Sequence, residues 1–237
     1  MTESPYRDPA IPYAVRRSDR ARHARIEVDA GGVQVIVPRR MPLREVAPFV
    51  ARKQPWIERT LRHYRQAEAE APRVKLADGG TVPYLGRDLI LNVRVEPGRV
   101  RSHVALRGDD ELHVAVGKRG PAAVREALER WYRRQARVEV ADRLDDATYR
   151  AGSRYTGLSI RGQKSRWASC TSQGKMSFNW RLLLAPEEVL DYVVEHEVAH
   201  LDILGHSRRF WSLVESRCPD YKRHERWLRR YGSTLRL

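Results

Sequence analysis

The sequence predicts an α+β fold. A β-rich part with two short helices is expected over residues 1–118, and a mainly helical part over 119–237, as two parts or as one continuous domain. Three observations carry this. Short apolar runs broken by Gly and Pro fill the first half. A long stretch of helical periodicity opens at Pro121. An apolar helix bearing His and Glu follows Pro186.

Taken in order, Ile26-Glu27-Val28 and Val33-Gln34-Val35-Ile36-Val37 flank Asp29-Ala30-Gly31-Gly32, a hairpin with glycines for the turn, and Pro38 is expected to stop the second strand. Residues 43–67 read as helix interrupted at Pro48 and Pro55, hence two pieces. Residues 71–80, with Pro72, Gly79 and Gly80, read as a linker or loop. Residues 89–95 and 112–116 read as strands. Pro121 suits a first helical turn, and Val124, Leu128, Trp131, Ala136, Val140 and Leu144 share a face of the helix that Gly152 ends. Residues 158–160 and 176–183 read as strands around a polar turn at Thr171–Gly174. Pro186-Glu187-Glu188 starts a helix with acidic residues where the dipole favours them, and the helix runs to about Leu204 before Gly205. Ser207 caps the next helix. Pro219 opens the last one, which Gly232 ends.

The composition sets limits. The 237 residues carry 45 Lys+Arg against 30 Asp+Glu, a net charge of +15, with 41% hydrophobic residues and 6 Trp. That is enough apolar material for a folded core. No apolar run approaches the roughly 20 residues that span a bilayer, so no membrane partner is expected. The polar start lacks the apolar stretch of a secretory signal, and Cys170 and Cys218 alone make no disulfide framework, so a cytoplasmic location is expected. The positive charge is diffuse: net +5 over residues 1–70, +3 over 71–120, +4 over 121–165 and +3 over 166–237. This reads as a solvated basic surface, although such a field favours polyanions and leaves a nucleic-acid partner open. The oligomeric state is not legible.

The chemistry concentrates in His196-Glu197-Val198-Ala199-His200-Leu201-Asp202-Ile203-Leu204-Gly205-His206. Positions i and i+4 share a helix face, so His196 and His200 can offer two imidazoles to one metal ion, with Glu197 beside them, the HExxH arrangement of zinc proteases. The flanking Val189, Leu190, Val193, Val194, Val198 and Leu201 bury this helix, where unpaired His and Glu would be costly to desolvate. A catalytic zinc site takes a third protein ligand and keeps a fourth position open. His206 is the favoured third ligand, because Gly205 lets the chain turn back; Glu215 and Glu225 are the alternatives. The ten-residue offset from His196 matches the metzincin motif, but Ile203 stands where that motif has Gly, and no Met follows Met176. Asp202 reads as a supporting or surface residue.

Further segments carry a resemblance. They are Lys164-Ser165-Arg166-Trp167-Ala168-Ser169-Cys170, Ser177-Phe178-Asn179-Trp180-Arg181-Leu182, Asp191-Tyr192-Val193-Val194-Glu195-His196-Glu197, Gly205-His206-Ser207-Arg208-Arg209-Phe210-Trp211, Pro219-Asp220-Tyr221 and Trp227-Leu228, with weaker agreement back to the hairpin, Lys53–Ile57 and Tyr84–Gly86. With these the chain resembles the YgjP-like metallopeptidase family of bacteria, zincin-like proteins related to SprT-type peptidases. One departure is Ala168, where the family usually has Gly. The resemblance implies a zincin-like catalytic part, zinc held by His196, His200 and His206, and a catalytic Glu197.

Three neutral imidazoles leave zinc its full charge and lower the pKa of its water toward about 7. Glu197 would act as general base in hydrolysis of a peptide bond, then return the proton to the leaving amine. Tyr221, His224 and Arg181 are candidate oxyanion donors, and Asn179 and Trp180 candidate substrate contacts. Strand Met176–Leu184 is expected to line the cleft and take a polypeptide substrate by strand addition. Trp167, Trp180, Phe210 and Trp211 read as core, and Cys170 as a buried, reduced thiol. Two other readings stand beside the zinc peptidase: a protease recruited to nucleic acid, as in SprT-type enzymes, and a non-catalytic zinc-binding domain, which would have no use for Glu197.

Overall fold

The computed structural model describes residues 3–7 (backbone only), 11–29, 31–71, 74–163 and 166–237. Ala30, Pro72, Lys164 and Ser165, on which the turn, loop and motif expectations partly fall, lie outside the described residues. The chain divides into two compact units. One comprises residues 1–71 with 230–234, the other residues 72–229 with 235–237. The division therefore falls at 71, at the start of the stretch read as a linker or loop, rather than at residue 118: the strands over 81–116 belong to the same unit as the long helix that opens at Pro121.

In the first unit, β1 (Glu3–Arg7), β2 (Pro12–Ser18), β3 (Arg25–Asp29) and β4 (Gly32–Pro38) form a sheet in the order β1-β2-β4-β3. The expected hairpin is β3–β4, with Val28 opposite Val33 and Asp29 opposite Gly32. Gly32 has φ +124°, which a side chain rarely tolerates, and the Gly31 N–H donates to Asp29 Oδ1 at 2.8 Å. Val33, Val35 and Val37 alternate inward with Tyr13 and Val15 of the parallel neighbour β2, onto Val46, Val50 and Ile57 of helix α1 (Val46–Glu70).

That helix corrects the expectation of two pieces: it runs unbroken for 25 residues through Pro55. Pro48 sits in the first turn, where its missing N–H has no intrahelical acceptor to lose. The bond Pro55 cannot make would go to the carbonyl of Ala51, an exposed residue. Helix α1 is closed from the far end of the chain, where Arg230 Nη2 meets Glu70 at 2.7 Å and the Tyr231 hydroxyl donates to Glu70 Oε2 at 2.6 Å.

The second unit begins with β5 (Thr81–Tyr84), β6 (Arg87–Val95), β7 (His103–Arg107) and β8 (Glu111–Val116), in the order β5-β6-β8-β7, with β6 and β8 parallel. Helix α2 (Pro121–Ala151) follows. All six residues of its expected apolar face are buried, and Gly152 ends it at φ +60°. A third sheet holds β9 (Gly157–Arg161), β10 (Ala168–Cys170) and β11 (Lys175–Asn179), in the order β10-β11-β9. β9 and β11 run parallel, while the turn at Thr171–Gly174 joins β11 to the short β10. The strand expected over Met176–Leu184 stops at Asn179, whose Oδ1 accepts the Arg181 N–H at 3.2 Å and caps a 3-10 turn over Trp180–Leu184. Helices α3 (Glu187–Asp202), α4 (Arg208–Arg217) and α5 (Tyr221–Tyr231) follow, and the last two residues of α5 belong to the first unit. α3 ends two residues earlier than expected, because Ile203 is already extended and Gly205 turns at φ +83°.

Arg143 ties α2 to α3. Its guanidinium reaches Glu139 at 2.6 Å, Asp191 at 2.8 Å and also Glu187. The side chain is only 17% exposed, so water screens these contacts incompletely. Arg143→Ala leaves three carboxylates without their shared cation and is expected to lower stability by about 2 kcal/mol in urea unfolding.

Candidate metal centre

Helix α3 packs Val189, Leu190, Val193, Val194, Val198 and Ala199 into the core. Burying that stripe turns His196 and His200, one turn apart, to a common side. The left-handed Gly205 then reverses the chain and brings in His206. His196 Nε2 and His206 Nε2 are 3.1 Å apart, and one ring nitrogen from each of the three histidines lies within 4.8 Å of the others. Ser207 caps α4 by accepting the Phe210 N–H at 3.3 Å. This seats the fully buried Phe210 under the triad. Its ring stacks on His200 with centroids 4.4 Å apart and meets His196 and His206 at 5.0 and 4.9 Å. The half-buried Trp211 ring stands 5.6 Å from both His196 and His206.

The donor set fits a zinc-type ion. Tetrahedral zinc with bonds of about 2.1 Å holds its nitrogens about 3.4 Å apart, close to the His196–His206 spacing. Burial, followed by the charges of His200 and His206, pushes His196 down to about 3, so the ring is in its neutral, ligating form. Burial likewise lowers His200. His200 Nδ1 lies 3.2 Å from the Ile203 carbonyl; donating there presents Nε2 to the cluster.

Glu197 follows His196 and is 5% exposed. Its carboxylate accepts the backbone N–H of Cys170, and Oε2 has no partner. Burial pushes this carboxyl up to about 7, against the opposing pull of the Cys170 N–H and of Arg166. Cys170 is a free, half-buried thiol, pushed up to about 11 by burial and by Glu197. β10 therefore borders the site, a role that sequence reasoning missed. Three residues show no periodicity; the signal was the motif segment Lys164–Cys170, which contains β10.

The other expected residues divide. Tyr221 is buried and stacks on Trp211 at 5.4 Å; His224 stacks on Tyr192 at 6.3 Å, and Tyr192 meets His196 edge-on at 6.0 Å. Both thus belong to an aromatic layer next to the triad. Asn179, Trp180 and Arg181 make different contacts. Asn179 Nδ2 donates to the Gln163 carbonyl at 2.8 Å, Arg181 Nη1 donates to the Gly162 carbonyl at 3.2 Å, and Trp180 is buried with its ring 5.8 Å from Tyr132. They shape the chain over 162–163 and the core. Among the described residues no carboxylate joins the cluster: Glu215 pairs with Lys222, Glu225 with Arg229, and Asp202 with Arg217. The strand nearest Glu197 is also not the one expected. β11 lies between β9 and β10 and is paired on both sides, and of the two edge strands β10 is the one beside Glu197.

The chain is similar to two solved structures over about two fifths of its length. The metallopeptidase zymogen of Pyrococcus abyssi abylysin shares 26% identity over 39% of this chain and 95% of its own, with a TM-score of 0.34. That of Methanocaldococcus jannaschii jannalysin shares 16% over 38% of this chain and 88% of its own, with a TM-score of 0.32. No curated protein matches the chain. No helix is long and apolar enough to cross a membrane among the described residues. The model of the YgjP-like metallopeptidase domain matches residues 22–231, a span that includes the histidine cluster, and the chain belongs to that family.

Proposed function

We propose that the protein is a zinc peptidase that hydrolyses peptide bonds of polypeptide substrates, with His196, His200 and His206 as ligands and Glu197 as general base in a zincin-like catalytic part. The observation that carries this is the convergence of three imidazoles beside a buried carboxylate with one oxygen unpartnered. Zinc bound there would supply Lewis acidity, making a water acidic enough to attack near neutral pH.

The chain's own residues do the rest. Glu197, whose carboxyl burial raises from its ordinary value, would take a proton from the attacking water and hand it to the leaving amine. The Cys170 N–H fixes one carboxylate oxygen, which leaves Oε2 for the proton. Apart from the Cys170 N–H that meets Glu197, the outer edge of β10 would offer its backbone groups to an extended peptide. Tyr221 and His224 are the remaining candidates to support the oxyanion, through the aromatic layer beside His196. A purely structural zinc site would gain nothing from Glu197, because burying a carboxylate is costly and here is only half compensated by hydrogen bonding.

Metal analysis tests the reading first: one zinc per chain is expected, lost in His196→Ala and His206→Ala. Zinc at a hundredfold over its Kd should stabilise the protein by about 2.7 kcal/mol, seen as a raised Tm that chelator reverses. A protein that takes up no zinc, or keeps it without His206, overturns the ligand set.

A further inference from the structure

Helix α1 carries a surface that the metal chemistry does not use. At about 100° per residue, the side chains within about 60° of Trp56, between residues 49 and 63, are Phe49, Arg52, Lys53, Arg59, Thr60 and His63. That face holds three cations, an imidazole and two aromatic rings, and no carboxylate. Arg52, Lys53, Arg59 and His63 are exposed, and none of these cations has an ion pair among the described residues. Trp56 is 40% exposed, unusual for the largest side chain. Beside it a groove of about 350 Å³ is lined by Ile26 of the edge strand β3, Phe49, Lys53 and Trp56.

We propose that this face binds single-stranded nucleic acid, with bases stacking on Trp56 and Phe49 and phosphates meeting Arg52, Lys53 and Arg59. Charge complementarity names the partner class, since unpaired cations without a neighbouring carboxylate attract a polyanion. The aromatic-lined groove narrows it to a strand with free bases: stacking on exposed rings is sequence-tolerant, whereas a duplex keeps its bases stacked on each other. A lipid surface fits less well, because the exposed apolar area is one indole and a groove rather than a continuous stripe. From residue 49 to 63 the face is about 21 Å long, enough for a few nucleotides. The inference is independent of the zinc reading.

The test is fluorescence anisotropy of the full chain with a labelled oligothymidylate, a duplex of equal length and polyglutamate, with co-sedimentation on phosphatidylserine vesicles as a fourth arm. The oligothymidylate is expected to bind most tightly, and its affinity to fall with salt with a log–log slope of about −2, for three phosphates. Trp56→Ala should weaken it roughly five- to a hundredfold. Arg52→Glu with Arg59→Glu should weaken it at least about tenfold and flatten the slope. Arg94→Glu with Arg107→Glu, exposed positions of the other unit, should leave it within about twofold. All substituted side chains are exposed, so an unchanged Tm shows that a loss reads the surface and not the fold. No binding at low salt overturns the proposal. So does equal or tighter binding of duplex, polyglutamate or vesicles, or equal loss in the Arg94/Arg107 variant.

Discussion

Glu197→Gln is expected to reduce kcat/KM on a peptide substrate by about 10²–10⁴-fold while zinc stays bound at one per chain. The amide has the shape of the carboxylate, and its carbonyl oxygen can still accept the Cys170 N–H. What it cannot do is take a proton, so the loss falls on kcat. Nor should the variant be less stable. The carboxyl it replaces is 5% exposed and pushed up to about 7 by burial, so its charged form is the costly partner at pH 8. A Tm at pH 8, measured on both proteins after zinc removal, equal to or above that of the wild type is the second readout. Retained activity with the amide in place would remove Glu197 from the chemistry.

Phe210→Ala is expected to cost about 3–5 kcal/mol in urea unfolding, the largest single-residue loss proposed for the second unit. Phe210 is fully buried and its ring touches all three imidazoles, so the cavity opens directly beneath the cluster. The rings would lose the packing that holds their orientation, and zinc affinity should fall together with stability. Val214→Ala separates the two effects. Val214 is also fully buried on α4, but a turn further along, so its truncation should lower stability and leave zinc affinity within about twofold. Equal zinc loss in both variants would mean that Phe210 acts only through the general stability of α4.

Much of the site was legible because its residues are local in sequence. His196, Glu197 and His200 follow from helical spacing, and His206 from a glycine that permits a reversal. The face of α2 was legible for the same reason, a long run of 3.6-residue period. Strand partners were not. Alternation marks β6, β8, β9 and β11 as strands, but nothing local says that β6 and β8 or β9 and β11 run parallel, since register is decided between distant segments. β10 was marked by its motif segment but not as a strand, because three residues are too few to show a period. The two prolines of α1 misled because proline is read as a break, whereas its cost depends on where the lost bond would have gone: Pro48 loses none, and Pro55 loses one on an exposed turn.

The closure of the first unit by Arg230–Thr234 bears on how the chain matures. Glu70 meets Arg230 160 residues later in sequence. During vectorial synthesis the sheet and α1 are therefore made long before Arg230–Thr234, and the whole histidine-bearing helix α3 is translated in between. The unit made first is thus among the last to be finished, and an incomplete nascent chain presents Glu70 without Arg230 or Tyr231.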